Sequence, residues 1–134
     1  MASRPTHLID AKFKTLGRLS TEIALLLRGK NKLEFTQNQD CGDQVVVFNV
    51  DKIRVTGRKM ETKKYRRHSG YIGNLKEKSL SQITMTEALK NAVYGMLPSN
   101  KLRPRWFKRL KIYSNQLPQR EAKSNNQVEK YDKN

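Results

Sequence analysis

The chain has 134 residues, with 28 Lys and Arg against 12 Asp and Glu, for a formal charge of +16. A chain of that length forms one domain with its own core, and its single cysteine, Cys41, excludes an internal disulfide or a cysteine-rich zinc site. No apolar run approaches the roughly 20 residues of a membrane span and no polybasic block adjoins a lipid anchor, so the charge points to a polyanion rather than a bilayer.

The charge is unevenly placed. Residues 1–50 balance at +2, whereas residues 51–78 and 79–134 carry +7 each. A solvated, supercharged surface is the plainer alternative, but clustering favours a working polyanionic partner. From the N-terminus, the apolar pulse in HLIDAKF (Leu8, Ile9, Ala11) suits a buried strand. In TLGRLSTEIALLLRGKNK, Leu16, Leu19, Ile23, Leu26 and Leu27 recur at helical spacing, with Thr15 as N-cap and Gly29 as stop. Lys30 and Lys32 follow, where they complement the helix dipole. DCGD, residues 40–43, has the look of a metal or phosphatase motif, yet Asp and Gly beside a strand more simply make a turn. QVVVFNV is β-branched and apolar without alternation, as in a parallel strand buried on both faces. Strand, helix, strand in that order implies a right-handed crossover.

Downstream the basic clusters begin. DKIRVTGRK sets Lys52, Arg54, Arg58 and Lys59 around a turn at Gly57, where backbone can approach a phosphate. METKKYRRHS reads as a third, more exposed strand, with Lys64, Arg66 and His68 on one side and Lys63, Tyr65 and Arg67 on the other. Tyr65 can stack on a base or pack at the strand edge. SGYIGNLKEK reads as a glycine-punctuated loop. A second helix is expected from about Thr84 to Leu97, with Ala88, Leu89, Ala92, Val93 and Met96 on one face and Pro98 closing it. RPRWFKRLKIYS suggests a helical turn leading into a last strand at LKIY. Its cations, Lys101, Arg103, Arg105, Lys108, Arg109 and Lys111, surround Trp106 and Phe107, which either anchor the segment or stack on bases. From Asn115 the composition turns polar, and that tail is expected to stay unpacked without a partner. No catalytic spacing joins His68 to Asp40, Asp43 or Asp51.

In order, DA followed by LGRLST (from Asp10 to Thr21), DCGD (from Asp40), DKIRVTG (from Asp51), KYRRHSGYIG (from Lys64), AVYGMLP (from Ala92) and NKLR followed by RLKIY (from Asn100) resemble the bacterial-type large-subunit ribosomal protein thirteen family, over about residues 7–114. HSGYIG and GMLP at this separation are its most specific part. The resemblance implies an α/β fold, three-layer α/β/α around a small, mainly parallel four-stranded sheet with basic extensions, in one domain over residues 1–114. It also implies binding to large-subunit ribosomal RNA and to neighbouring large-subunit proteins, without catalysis, cofactor, metal, membrane, small-molecule substrate or a second copy of the chain.

Carried over by position, Lys64, Arg66, Arg67 and His68 fall in the family's basic strand, and Lys101, Arg103 and Arg105 in its loop after GMLP. With these, Arg18, Lys30, Lys32, Lys52, Arg54, Arg58, Lys59, Lys63, Gly70, Gly73, Lys108, Arg109 and Lys111 make up the expected RNA-binding set. Three places depart from the bacterial pattern: Asn74 stands where a second glycine is usual, SNKLRPR replaces the usual loop after GMLP, and YSNQLPQREAK replaces a His- and Pro-rich tail. With DCGD and YGMLP, these departures resemble the mitochondrial branch. A mitochondrial ribosome is therefore the favoured location, with bacterial cytoplasm or plastid stroma as the alternative. Met1–Thr6 holds no amphipathic presequence, so an import signal would be internal or already removed. The rival readings are a metal-dependent nuclease or phosphoesterase using Asp40, Asp43 and His68, and a free basic nucleic-acid-binding module.

Overall fold

A computed structural model describes residues 4–120. Strand β1 (Thr6–Asp10) leads into helix α1 (Leu16–Arg28) and strand β2 (Gln44–Phe48). A tight turn (Val50–Lys52) and the short helix α2 (Lys59–Thr62) precede strands β3 (Lys64–His68) and β4 (Leu75–Ser79). After a second turn (Leu80–Gln82) come helices α3 (Met85–Met96) and α4 (Arg103–Lys108) and strand β5 (Leu110–Ile112).

The main sheet is parallel throughout, in the order β1-β2-β5, with Thr6 opposite Gln44 and Val45 opposite Leu110. Unalternated valines make sense at its centre: Val45, Val46 and Val47 point to both faces of the pleat and all three are buried. The fold is α/β around a small parallel sheet, as expected, but the sheet has three strands among the described residues rather than four. The third expected strand, read in METKKYRRHS, forms as Lys64–His68 but pairs antiparallel with β4 in a separate hairpin. Thus LKEKS, read as part of a loop, is a strand. Leu75 is its one apolar side chain and the other four are charged or polar, so no apolar period marks it.

Helix α1 buries Leu16, Leu19, Ser20, Ile23, Ala24 and Leu27 and lies on β2, while α3 packs against α1 and the Val50–Lys52 turn. Gly29 ends α1 in the left-handed conformation and its N–H bonds back to the carbonyls of Leu25 and Leu26. Thr15 stands at the N-cap position but its hydroxyl caps nothing; at α3 Thr84 does cap, accepting from the Glu87 N–H. On α3 only Ala88, Leu89 and Val93 are fully buried, and Met96, assigned to the same face, is exposed. The C-terminal segment closes on the turn after β2, where the Asn49 N–H donates to the Asn115 carbonyl at 2.9 Å. Most of the expected polar tail, residues 121–134, lies outside the described residues.

Candidate nucleic-acid interface

The hairpin projects the densest basic surface. Every residue of 61–78 except Tyr65 is exposed. The register places Lys64 and Arg66 on the same face as Glu77, which pairs with both, at 3.4 Å and 2.9 Å. The Lys64 charge, opposed by slight desolvation and aided by the hydrogen bonds of Lys64 and Arg66, holds the Glu77 carboxyl below the usual range. On the other face Arg67 stands directly opposite Lys76, and Tyr65 opposite Lys78. Like charges facing across an antiparallel pair destabilise it. Among the described residues no carboxylate pairs with Arg67, Lys76 or Lys78. Lys76 and Lys78 were absent from the expected set because they sit in the stretch read as a loop; the alternation in Lys-Glu-Lys is the one trace of them in the sequence.

Tyr65 packs against the core, with Lys63 5.4 Å above its ring and its hydroxyl buried without a hydrogen-bond partner. Burial, and secondarily the Glu87 charge, pushes its pKa up. Tyr65 is therefore the hairpin's anchor, not a stacking face. Between the strands, residues 69–74 form a loop in which Gly70 and Gly73 take φ values of 92° and 78°. Both are left-handed positions that glycine adopts without a Cβ penalty. The Gly70 N–H donates to His68 Nδ1 at 2.9 Å, so His68 shapes the loop. The tip carries Tyr71 and Ile72, both largely exposed.

Nearer the body, Lys52, Arg54, Arg58, Lys59 and Lys63 are exposed around Gly57 and along α2, which packs against β4. A second group follows α3: Lys101, Arg105, Lys108 and Lys111 are exposed. Lys30 and Arg18 are exposed at the end and beginning of α1.

Three expected RNA contacts are turned inward instead. Arg109 grips the Asp40 carboxylate with both terminal nitrogens, at 2.6 Å and 2.7 Å, and also donates to the carbonyls of Leu27 and Asp43. Lys32 bonds the Asp43 carboxylate and, at 2.9 Å, the Cys41 carbonyl. Arg103 donates to the Leu97 and Pro98 carbonyls, satisfying the end of α3, and lies 4.5 Å over the Tyr94 ring. In each case the guanidinium or ammonium has a partner inside the fold.

DCGD is accordingly more than a turn. Asp40 also accepts the Trp106 Nε1–H at 3.0 Å, fixing the buried Trp106 as an anchor, while Phe107 meets Tyr94 edge-on. Desolvation raises the Asp40 pKa, but the hydrogen bonds and charge of Arg109, with Arg4 behind it, outweigh that and hold it below the ordinary carboxylate range. Asp43, 1% exposed, joins Lys32 to His7 Nε2 at 2.8 Å. Between them, a Cβ on Gly42 would lie 1.6 Å from the Leu27 carbonyl oxygen, which leaves room for glycine alone. Among the described residues, no group of three or more His, Cys, Asp or Glu is placed to hold a metal ion.

Comparison with known proteins completes the picture. Residues 4–118 match the family described as Ribosomal protein L13. The chain is 52% identical over 114 residues to the large ribosomal subunit protein uL13 of Rubrobacter xylanophilus, covering 83% of this chain and 80% of that protein. It is 56% identical over 110 residues to its Thermus thermophilus counterpart (80% and 79% covered). With that of Methylococcus capsulatus the identity is 48% over 122 residues (89% and 86% covered).

Proposed function

The chain belongs to the ribosomal protein L13 family, and from that membership we propose that it is a structural constituent of the large ribosomal subunit that binds large-subunit ribosomal RNA and supports subunit assembly. The observation that carries the RNA contact is the hairpin face on which Arg67 and Lys76 oppose each other with no carboxylate between them. Such a face is self-repelling in the free chain and is relieved by a phosphate backbone, whose counterions it releases. Contacts to phosphate and to RNA shape dominate over base readout. The interface comprises Lys63, Lys64, Arg66, Arg67, His68, Lys76 and Lys78 of the hairpin, the exposed cations around Gly57, and Lys101, Arg105, Lys108 and Lys111 beyond α3. Neighbouring large-subunit proteins are its protein partners.

We assign it no catalytic step: the oxygens of Asp40 and Asp43, which a nuclease would need for a metal, are already held by Arg109, Trp106, Lys32 and His7. Residues 1–114 act as one domain. The matched relatives are bacterial, which supports a bacterial-type ribosome; Asn74, SNKLRPR and YSNQLPQREAK favour the mitochondrial form of it. Sedimentation of a gentle lysate through a magnesium-containing gradient tests the assignment. The chain should travel with the large subunit, withstand moderate salt and be released by ribonuclease, and prior separation of organelle from cytosol identifies the compartment. A chain that stays at the top of the gradient refutes it.

A further inference from the structure

Phe13 presents an aromatic ring in an unusual way. It sits in the connection from β1 to α1, 75% exposed, with φ at +60°. A bulky L-residue there carries a steric penalty from its Cβ. An exposed ring recovers little of that by burial. The loop nevertheless enforces the geometry. The Phe13 N–H donates to the Lys52 carbonyl at 3.1 Å, Lys14 N–H to the Ala11 carbonyl, and Arg54 N–H to the Lys14 carbonyl at 2.9 Å. Asp10 Oδ1 accepts from both the Lys12 N–H and Asn49 Nδ2 at 3.0 Å, which fixes the start of the loop. Strain over-determined by its surroundings around a solvent-facing side chain is the pattern found at ligand sites.

The surroundings identify the ligand class. Lys12 Nζ lies 5.1 Å over the ring, and the same ring lines an open cleft of about 290 Å³ with Lys14, Thr15, Arg18, Leu19 and Glu22. That volume is near the lower end of the roughly 300–1,000 Å³ typical of ligand clefts. Arg18 is exposed, and Lys14 is partly neutralised by Glu22 at 3.5 Å. A carboxylate within the cleft repels a bare phosphate there but accepts hydrogen bonds from the amino edge of a base. An exposed ring, a carboxylate and a cation lining one open cleft, with a second cation over the ring, suit a nucleotide whose base meets the ring and the carboxylate and whose phosphates meet the cations.

We propose that Phe13 is a stacking platform for an unpaired, amino-bearing base of ribosomal RNA, with Glu22 meeting the base edge and Lys12 and Arg18 the flanking phosphates. The site rests on the RNA-binding reading above but lies on a different element from the hairpin, so the two can fail separately. Stacking of one base is worth about 1–3 kcal/mol. Filter binding of the full chain to purified bacterial large-subunit ribosomal RNA should therefore show Phe13→Leu and Phe13→Gly about 5- to 100-fold weaker than the native chain, with Phe13→Trp close to native. The Gly variant, freed of the Cβ penalty, should melt no lower than the Leu variant, so a binding loss there cannot come from unfolding. Titration with an unstructured oligoadenylate should move the Phe13 ring protons upfield. If Phe13→Leu binds as the native chain does, the ring is not a stacking surface. If that happens while Lys76→Glu still weakens binding, only this site falls; a native chain that does not bind the RNA overturns both readings.

Discussion

Asp40 shows how one carboxylate can organise residues far apart in the chain. Arg4, Trp106 and Arg109 converge on it from both ends. Because its folded pKa is lowered relative to the unfolded chain, its ionic contribution is fully present above the ordinary carboxylate range. That contribution is lost as pH falls from about 4 through the lowered value. Asp40→Asn should cost about 2 kcal/mol at neutral pH, since charge-assisted hydrogen bonds are worth about 1.5–3 kcal/mol. It should also flatten the acid limb of stability. Thermal melts of both proteins between about pH 3 and 7 measure this, and parallel acid limbs would show that Asp40 does not carry the effect. None of this network was legible in DCGD itself. The turn chemistry is local and visible, but the partners of both aspartates come from segments whose meeting is decided only by the folded sheet. The inward partners of Arg109 and Lys32 were hidden for the same reason: a cation in a basic run carries no mark of which way it turns.

At the level of elements, α1, β2, α3 and the α4–β5 unit were readable because each carries its own apolar period, stop or cap. The hairpin was half readable. β3 announces itself by charge and by Tyr65, its one inward residue, whereas β4 has no buried position to betray it. A two-stranded ribbon is marginal in water on its own, and this one is held by Tyr65, the contact of β4 with α2 and the Glu77 pairs. Its charges make opposite predictions for folding and for binding. Lys76→Glu turns the repulsive pairing with Arg67 into an attractive one, worth about 0.2–1 kcal/mol. It should raise stability slightly while weakening ribosomal RNA binding and flattening its salt dependence. Glu77→Gln releases Lys64 and Arg66 and should tighten binding with a steeper salt slope. Salt-dependent binding isotherms beside melts separate these effects. A Lys76→Glu protein that binds like the native chain would mean the hairpin does not face phosphate.

For the molecule as a whole, +16 on 134 residues is a load that the free protein carries alone. Self-repulsion opposes compaction and is screened by salt over a Debye length of about 10 Å at 0.1 M. The free chain should therefore melt several degrees higher at about 0.5 M than at about 0.05 M potassium chloride, and addition of RNA should raise it further at low salt. Equal melting temperatures at both salts would show that the cations are too dispersed to matter. The order of the sheet has another consequence. β2 is central, yet its second neighbour β5 and the guanidinium that clasps the end of α1 belong to residues 109–112. While the chain is still being synthesised, β1, α1 and β2 can emerge and associate, but one edge of β2 stays bare until almost the whole described sequence has left the exit tunnel. Completion of the sheet in the nascent chain is thus deferred until residues 109–112 have emerged, and a product truncated before them is left with an unprotected valine strand open to aggregation.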